Sequence, residues 1–259
     1  MKLAVVGMGL IGGSLLKAAR KAGYETLGLH HSDQADLSDT DIIFVALPPK
    51  SIAPWIETHE AGFKPGAILT DVCGVKRPVF ESFRQKALHA DWTFIPAHPM
   101  AGKEVTGFAN ADEDLFRGAS IILTPYPFMG RGPLDKLCPV LKALGFTTIV
   151  STTPDRHDEL IAYTSQLCHV ISGAYIQDPL APETPGYTAG SFADMSRVAT
   201  MDAETWSDLF LENRDHLLTA TGRFADRIDE FRQLLSRRDK AGLMAWIQAG
   251  ADAKRGLKS

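Results

Sequence analysis

Three glycines near the start of the chain constrain its fold more than any other feature. Residues 2–6 form a short apolar run that ends in two valines, and Gly7, Gly9 and Gly12 follow with the spacing G-x-G-x-x-G. A good helix-forming segment begins at Ser14. A strand, a glycine turn and a helix in this order predict a binding site for a dinucleotide pyrophosphate. The first glycine permits the tight turn, the second lets the backbone approach the phosphates, and the third allows close packing of helix and strand.

This motif has two other interpretations when it is considered alone. It could be an ordinary glycine-rich turn, or it could belong to a secretory signal, since one lysine precedes an apolar stretch that extends to Leu16. The density of glycines favours the dinucleotide site. We therefore expect Leu10 and Ile11, together with the three glycines, to present the N–H groups of a helix N-terminus to the anionic cofactor.

The composition is that of a soluble globular protein and argues against several functional classes. The 259 residues include 45% hydrophobic and 22% charged side chains, which is usual for globular domains. The net charge of −4 argues against a general nucleic-acid binder, and no apolar run is long enough to span a bilayer. Cys73, Cys138 and Cys168 form no C-x-x-C pair and indicate reduced thiols in a cytoplasmic protein. The eight histidines show no chelating pattern, so we expect no metal site.

The end of the second predicted strand bears on the choice of cofactor. Residues 25–29 are strand-like and are followed by His30, His31 and Ser32. In a Rossmann unit an acidic residue at this point accepts hydrogen bonds from the adenosine ribose. No carboxylate occurs here before Asp33, which slightly favours NADP over NAD, with Ser32 and a histidine as phosphate donors. The two histidines could equally cap the strand, so both cofactors stay open.

Strands and helices alternate through residue 150, which predicts an α/β fold with a mostly parallel sheet. The third strand spans residues 41–47, and its end brings Ala46, Leu47 and Pro48 beside the cofactor. The remaining predicted elements are helices over 50–62, 76–89 and 132–145, strands over 67–72, 92–95, 119–123 and 146–150, and a loop over 96–118.

The chain after residue 151 contains no convincing strand. Helices are expected over 154–176, 205–223, 224–236 and 238–255, from apolar residues at helical spacing. We therefore expect a dinucleotide-binding Rossmann domain over residues 1–151 and an all-α, substrate-binding domain over residues 152–259. The many apolar helical faces suggest packing against a second subunit, so we expect a homodimer through the C-terminal domain.

Three local groups of polar residues could carry chemistry, although each also has a structural interpretation. His98 lies between two prolines just after a predicted strand, where open sheets carry their active sites, but an isolated histidine is more often structural. Ser165 and His169 are four residues apart and share one helix face, as a hydrogen-bonded core histidine would with its neighbour. Arg197 follows Asp194 by three residues, the spacing of a surface ion pair.

The chain resembles the prephenate and arogenate dehydrogenases of tyrosine biosynthesis. Six motifs occur in the order found in that family and cover nearly the whole chain: G-M-G-L-I-G-G-S, D-V-C-G-V-K, A-H-P-M-A-G-K-E, S-Q-L-C-H, F-A-D-M-S-R-V-A and W-S-D-L-F-L-E-N. The glycine fingerprint is unspecific, but the histidine loop and the late arginine motif together are fairly specific. The resemblance implies oxidative decarboxylation of prephenate or arogenate with hydride transfer to NAD or NADP.

The resemblance also implies roles for individual residues. His98 is expected to accept the proton of the substrate hydroxyl, a task suited to a neutral imidazole. Arg197 is expected to bind a substrate carboxylate, because a guanidinium offers a fork that matches it. His169, as a further catalytic candidate, and Ser165 are expected to line the same pocket from the helical domain.

Other positions of the motifs include departures from the family pattern. Glu104 is expected to gate the mouth of the pocket, and Asp71 to lie near the nicotinamide. Gly74, also expected near the nicotinamide and substrate, stands where many relatives have a serine. Lys103 replaces a small hydroxyl residue, and its ammonium could bind a substrate carboxylate or be solvated. Gln166 replaces the first histidine of the motif S-H-x-x-H.

Two other functions fit parts of the sequence. A β-hydroxyacid dehydrogenase shares the two-domain plan but relies on a lysine in its helical domain, and the first lysine after residue 151 is Lys240. A dinucleotide-binding sensor without catalysis would be favoured by the loss of His98 or Arg197, and both are present. The sequence distinguishes neither prephenate from arogenate nor NAD from NADP.

Overall fold

A computed structural model describes residues 1–103 and 105–257, and a parallel sheet forms its centre. The strands of this sheet are β1 (Lys2–Val6), β2 (Glu25–Leu29), β3 (Ile42–Val45), β4 (Ile68–Asp71) and β5 (Thr93–Phe94). Their order is β2-β1-β3-β4-β5, and each neighbouring pair is parallel. The predicted α/β fold with an N-terminal Rossmann-type sheet is therefore confirmed.

Side chains of the sheet alternate between two hydrophobic cores. On β1, Leu3 and Val5 belong to one core and Ala4 and Val6 to the other, and all four are fully buried. This alternation follows from the two-residue repeat of a strand. The helices that cover the two faces are α1 (Leu10–Lys21), α2 (Pro49–His59), α3 (Arg77–Phe83) and α4 (Gly132–Ala143). Helices α1 and α4 pack on the first core, and α2 and α3 on the second.

A second, smaller sheet follows the parallel one and carries His98. Its strands are β6 (Ala97–Pro99), β7 (Ser120–Leu123) and β8 (Thr148–Ser151). Strand β6 pairs with β7 in an antiparallel arrangement in which His98 lies opposite Ile122, and β8 runs parallel to β7. The prediction of an irregular loop from residue 96 is therefore wrong at its start. Strand pairing holds the backbone of His98, which a loop would not.

The C-terminal part of the chain is helical, as predicted. It contains α5 (Pro154–Ile161), a π-helical turn (Ala162–Gln166), α6 (Leu167–Ile176), α7 (Gly190–Ser196), α8 (Ala203–Glu212), α9 (Arg214–Ser236) and α10 (Lys240–Gly256). The predicted helix over 205–223 is wrong, because the chain breaks at Asn213 and α9 then continues across residue 223. Asn213 is fully buried and donates from its amide to the carbonyl of Asp158 and to Gln166 Oε1, both at 2.8 Å.

The chain divides into two compact units, Met1–Asn213 and the residues from Arg214 onward. The first unit contains both sheets and the helices through α8. In the second unit, α9 and α10 pack through the rings of Phe231 and Trp246, whose centroids are 5.1 Å apart. The domain boundary expected at residues 151–152 remains a prediction. Among the described residues, no helix is both long and apolar enough to cross a membrane.

Two glycines of the first motif are required by packing, and the third is not. A Cβ atom on Gly12 would collide with the carbonyl of Gly7 and approach the Ala46 side chain to 3.0 Å, whereas no heavy atom lies within 4 Å of a Cβ atom on Gly9. Gly7 itself has φ +95°, where residues with side chains are strained.

We expect Gly12→Ala to lower the free energy of unfolding by about 1–3 kcal/mol, the usual cost of overpacking. Gly9→Ala is the matched control and should lower the free energy of unfolding by less. It should also weaken dinucleotide binding, because its methyl group would occupy the space beside the predicted pyrophosphate site. Chemical denaturation and titration with the dinucleotide measure the two effects. Equal stability of the two variants would contradict this assignment of the glycines.

Candidate active site

The edge of the parallel sheet at the glycine turn has the features of a dinucleotide site. Helix α1 begins at Leu10 with no side-chain cap from Gly9 and no acidic residue in its first turn. The first N–H groups of a helix and its dipole attract an anion. Because Gly9 leaves open space beside the backbone, a phosphate could approach these groups closely. The residues present therefore fit the predicted pyrophosphate site.

The predicted cofactor residues after β3 lie at the same edge. Ala46 donates its backbone N–H to Val6 at 2.7 Å, and Gly7 packs against the Ala46 carbonyl. Leu47 and Pro48 follow directly. Strand β1 lies between β2 and β3 in the sheet. The connection from β1 to β2 therefore leads to one side of β1, and the connection from β2 to β3 leads to the other side. Ligands bind at such a reversal of strand order.

The turn after β2 brings a carboxylate back to the end of the strand. His30, His31 and Ser32 are exposed, as expected for residues open to a cofactor. The chain turns back between His30 and Asp33. The N–H of Asp33 donates to the His30 carbonyl at 3.1 Å, and Oδ2 of Asp33 accepts from the His30 N–H at 2.8 Å. An acidic group therefore lies at the end of β2, although the sequence has it four residues beyond Leu29.

Asp71 forms buried bonds inside the protein, and its predicted position near the nicotinamide stays a prediction. Its side chain is fully buried and forms an ion pair with Lys76, which is also fully buried. The carboxylate accepts further hydrogen bonds from the N–H groups of Cys73 at 2.9 Å and Ala97 at 3.0 Å. Both oxygens of Asp71 are therefore bonded inside the protein, and its side chain has no exposed surface.

A cavity of about 440 Å³ brings together six of the predicted site residues. They are Gly74, His98, Lys103, Ser165, His169 and Arg197. Glu104, the predicted gate, lies outside the described residues. Among the described lining residues, Lys103 and Arg197 are the permanent cations and none is a carboxylate. The cavity is therefore suited to an anionic ligand. Within residues 1–103 and 105–257, no cluster of side chains could hold a metal ion.

His98 is the first member of a buried chain of hydrogen bonds. Its Nδ1 lies 3.0 Å from Nε2 of His157, and Nδ1 of His157 lies 2.7 Å from Oδ1 of Asp158. His157 and Asp158 are almost completely buried at the start of α5. The carboxylate of Asp158 also accepts from the N–H groups of Lys76 and Arg77, each at 2.8 Å, at the start of α3.

The acidic end of this chain decides which nitrogen of His98 carries hydrogen. A carboxylate can only accept, so Nδ1 of His157 carries hydrogen and its Nε2 accepts from Nδ1 of His98. The Nε2 atom of His98 is then left as an unprotonated acceptor. It lies 3.9 Å from the position of a Cβ atom on Gly74. His98 therefore presents a base to the cavity.

Both imidazoles are held neutral by their surroundings. Burial lowers the pKa of His98 well below 6.5, and the nearby His157 and the Lys76 ammonium lower it further. Burial also lowers the pKa of His157, although Asp158 opposes this shift. A neutral pair keeps the order of donors and acceptors described above.

His169 on α6 also lines the cavity. Its Nδ1 lies 2.9 Å from the backbone carbonyl of Ser165, which can only accept, so Nδ1 carries the hydrogen. The ring lies against Trp206 with centroids 3.8 Å apart. The Nε2 atom of His169 is therefore the nitrogen available to a ligand. The hydrogen bond between His169 and Ser165 involves the backbone carbonyl of Ser165 and not its hydroxyl.

The two departures at Gly74 and Gln166 have different structural consequences. A Cβ atom on Gly74 would meet Leu209 at 3.5 Å, which is ordinary contact, so the position has room for the serine of the relatives. Gln166 is buried and bonds both Leu209 and Asn213, through its Nε2 at 3.0 Å and its Oε1 at 2.8 Å. Gln166 thus connects the π-helical turn to the end of α8.

Sequence reasoning missed His157 and Asp158. In the sequence their segment, P-D-R-H-D-E, indicates only the start of the helix predicted over 154–176. The available signal was a histidine next to an acid on a helix that must pack against a sheet. That signal is weak, because their partners His98 and Lys76 lie 59 and 82 residues away in the chain.

Comparisons with known proteins identify similar chains over the same extent. The family model described as "Prephenate dehydrogenase, nucleotide-binding domain" matches residues 10–150, and that described as "Prephenate dehydrogenase, dimerization domain" matches residues 153–249. The prephenate dehydrogenase of Bacillus subtilis (strain 168) is 26% identical over 280 aligned positions, which cover 98% of this chain and 75% of the relative.

Two solved structures have a similar fold. Synechocystis arogenate dehydrogenase has 28% sequence identity and a TM-score of 0.81, and the match covers 99% of this chain and 100% of that one. Prephenate dehydrogenase from A. aeolicus, in complex with hydroxyphenyl propionate and NAD+, has a TM-score of 0.86 at 22% identity, with 100% and 98% covered. The second likeness concerns the fold alone.

We expect ¹⁵N NMR of labelled imidazoles to find His98 and His157 neutral at pH 6.5, with hydrogen on Nδ1 in both. Their pKa values are lowered, so protonation requires a more acidic solution than for free imidazole in the same buffer, which serves as the reference. A His98 signal with hydrogen on Nε2, or half-protonation of His98 at pH 6.5, would contradict the proposed order of the hydrogen bonds.

Proposed function

The chain belongs to the prephenate dehydrogenase family, and we propose that it oxidatively decarboxylates prephenate or arogenate with NAD(P). The observation that carries this proposal is the position of His98 Nε2. It is an unprotonated base in a cavity with two cations and no carboxylate among its described lining residues. A hydroxylated ring that bears carboxylates matches these groups. A bound nicotinamide supplies the hydride acceptor for the reaction.

His98 handles the proton of the reaction. As the hydroxyl carbon loses its hydride and becomes a carbonyl, the hydroxyl proton passes to Nε2 of His98. The positive charge on the imidazole is then stabilised through His157 by the Asp158 carboxylate. Departure of the ring carboxylate as CO2 leaves its electron pair in the ring, which becomes aromatic. The resulting phenolate oxygen can take the proton back from His98, so the residue is regenerated.

The remaining cavity residues bind and orient the substrate. Arg197 begins the 3₁₀ turn Arg197–Ala199 and lines the cavity, where its guanidinium can bind a substrate carboxylate. His169 offers Nε2 on a ring that packs against Trp206. Ser165 keeps its hydroxyl for a ligand. Tight orientation of the hydroxyl carbon beside the nicotinamide is what these contacts contribute to rate.

We expect His98→Asn to lower kcat by about 10²-fold or more, the scale of a lost general base. His157→Asn should lower kcat by a smaller factor with little change in KM, because it removes the acceptor that orients His98 but no substrate contact. His59→Asn is the control, since His59 stacks on Trp55 outside this cavity. Unchanged turnover in the first variant, or no activity of the wild type on either substrate, would refute the proposal.

We propose NAD as the preferred cofactor, which differs from the NADP favoured by sequence alone. The support is the turn after β2, which returns the Asp33 carboxylate to the N–H of His30. A carboxylate at the end of this strand accepts from the ribose hydroxyls and repels a 2′-phosphate. The sequence slightly favours NADP because it does not indicate that the chain turns back at Ser32 and returns the Asp33 carboxylate to the end of β2.

We expect the wild type to have a higher kcat/KM with NAD than with NADP, and Asp33→Ser to narrow or reverse this ratio. Asp36→Ser is the matched control, because Asp36 lies in the same connection but its carboxylate bonds the backbone of Ser38. Steady-state assays of both dinucleotides with each substrate measure the ratio. A wild type that prefers NADP would overturn the assignment of Asp33.

We also propose a homodimer that forms through the helical C-terminal region, with a domain boundary near residue 151. The family model for residues 153–249 describes a dimerization domain, and the bounds of the two matched models support that boundary. Helices α9 and α10 carry large exposed apolar residues, which a second subunit would cover. They include Leu218, Ile228, Leu235, Met244 and Ile247.

A further inference from the structure

We propose that Lys103 is a second carboxylate-binding residue of this site and that Asp112 holds its ammonium until substrate displaces it. This inference rests on the proposed function, because prephenate and arogenate each carry two carboxylates. Among the described residues of the cavity, two side chains are permanently charged cations, Lys103 and Arg197. One cation for each carboxylate leaves neither charge of the substrate unpaired.

Lys103 has an anionic partner that resembles a substrate carboxylate. Its Nζ lies 2.9 Å from Oδ2 of Asp112. Both side chains are about two-fifths exposed, at 41% and 42%, so water competes with the pair and little stability is lost when it separates. The flexible stem of a lysine allows its ammonium to move from one carboxylate to another.

Asp112 is held in place independently of Lys103. Its N–H donates to the Ser14 hydroxyl at 2.9 Å, and its Oδ1 accepts from the N–H of Asp114 at 3.0 Å. The adjacent carbonyl of Ala111 accepts from Lys17 Nζ at 2.7 Å. Asp112 therefore keeps its position and an acceptor bond when Lys103 leaves, so the exchange requires movement of one side chain only.

The contacts of Asp112 connect this exchange to the dinucleotide side of the site. Ser14 and Lys17 both belong to α1, the helix that follows the glycine turn, and the Ser14 hydroxyl donates in turn to the Leu10 carbonyl at 2.7 Å. Lys103 thus lines the cavity that contains His98, and its ammonium binds Asp112, whose backbone is hydrogen-bonded to α1. An uncharged hydroxyl residue, common at this position in relatives, could not make such an exchange.

The variants Lys103→Met and Asp112→Asn test the exchange in opposite directions. Lys103→Met should raise KM for prephenate by about ten- to hundredfold, as for a lost hydrogen bond to a charged group, with a smaller effect on kcat. Asp112→Asn should lower KM by about two- to fivefold, because the competing anion is gone. Asp114→Asn is the matched control, since Asp114 pairs with Lys21 in the same segment and should leave KM unchanged.

The double variant decides whether Asp112 acts through Lys103. In the Lys103→Met background, Asp112→Asn should have no effect on KM. Hydroxyphenyl propionate, which has one carboxylate, should lose affinity in only one of the two variants Lys103→Met and Arg197→Met. A KM within twofold of wild type for Lys103→Met, or a persistent Asp112→Asn effect without Lys103, would overturn the proposal.

Failure of the proposed function has a different signature from failure of the exchange. Wild-type protein that turns over neither substrate contradicts the function. Calorimetric titration of the same variants with prephenate then still measures whether Lys103 binds a carboxylate. Loss of affinity in Lys103→Met supports the exchange, and unchanged affinity contradicts it.

Discussion

A buried lysine, Lys76, fixes the positions of the two segments that carry His98 and His157. Lys76 is fully buried, forms an ion pair with Asp71 at the end of β4, and donates to the carbonyl of Ala97 at 2.7 Å. Its backbone N–H donates to Asp158 at the start of α5. Since His98 follows Ala97 and His157 precedes Asp158, one cluster of charges positions both imidazoles. Burial of such charges is tolerated only when each is fully bonded. Replacement of any one member of the cluster would therefore leave another buried charge without its partner.

The same cluster also sets the chemistry of the base. The Lys76 ammonium contributes to the lowered pKa of His98, so that the ring is neutral and can accept a proton at physiological pH. Asp158 has the opposite influence one residue further along, because it raises the affinity of His157 for a proton. The imidazoles of His98 and His157 are thus neutral at rest, and the Asp158 carboxylate stabilises the positive charge that forms when His98 accepts a proton. In the proposed reaction, the surrounding charges and not the histidine alone give His98 its role as a base.

The parts of the fold that local sequence determines were predictable. The strand, glycine turn and helix at residues 2–21 depend on neighbours in the chain, and they form as expected. His98, Arg197 and His169 were recognisable because the family motifs surround them, and the cavity brings them together.

Features that depend on contacts distant in sequence were not predictable. The return of Asp33 to the end of β2 and the buried ion pair of Asp71 with Lys76 both depend on the folded chain, and neither is visible in the sequence. Asn213 breaks a helix that its own sequence favours, since its amide is needed by Asp158 and Gln166. His157 lacked any motif at all. In each case a buried polar group requires a partner, and sequence alone does not say where that partner lies.

In the proposed reaction, Nε2 of His98 receives the proton of the substrate hydroxyl. A crystal structure of the protein with NAD and hydroxyphenyl propionate would show whether these two groups meet, since the phenolic oxygen corresponds to that hydroxyl. We expect this oxygen at about 2.6–3.2 Å from His98 Nε2, with Nδ1 still bonded to His157. A phenolic oxygen bound to His169 or Lys103 instead, with His98 turned away from it, would contradict the account.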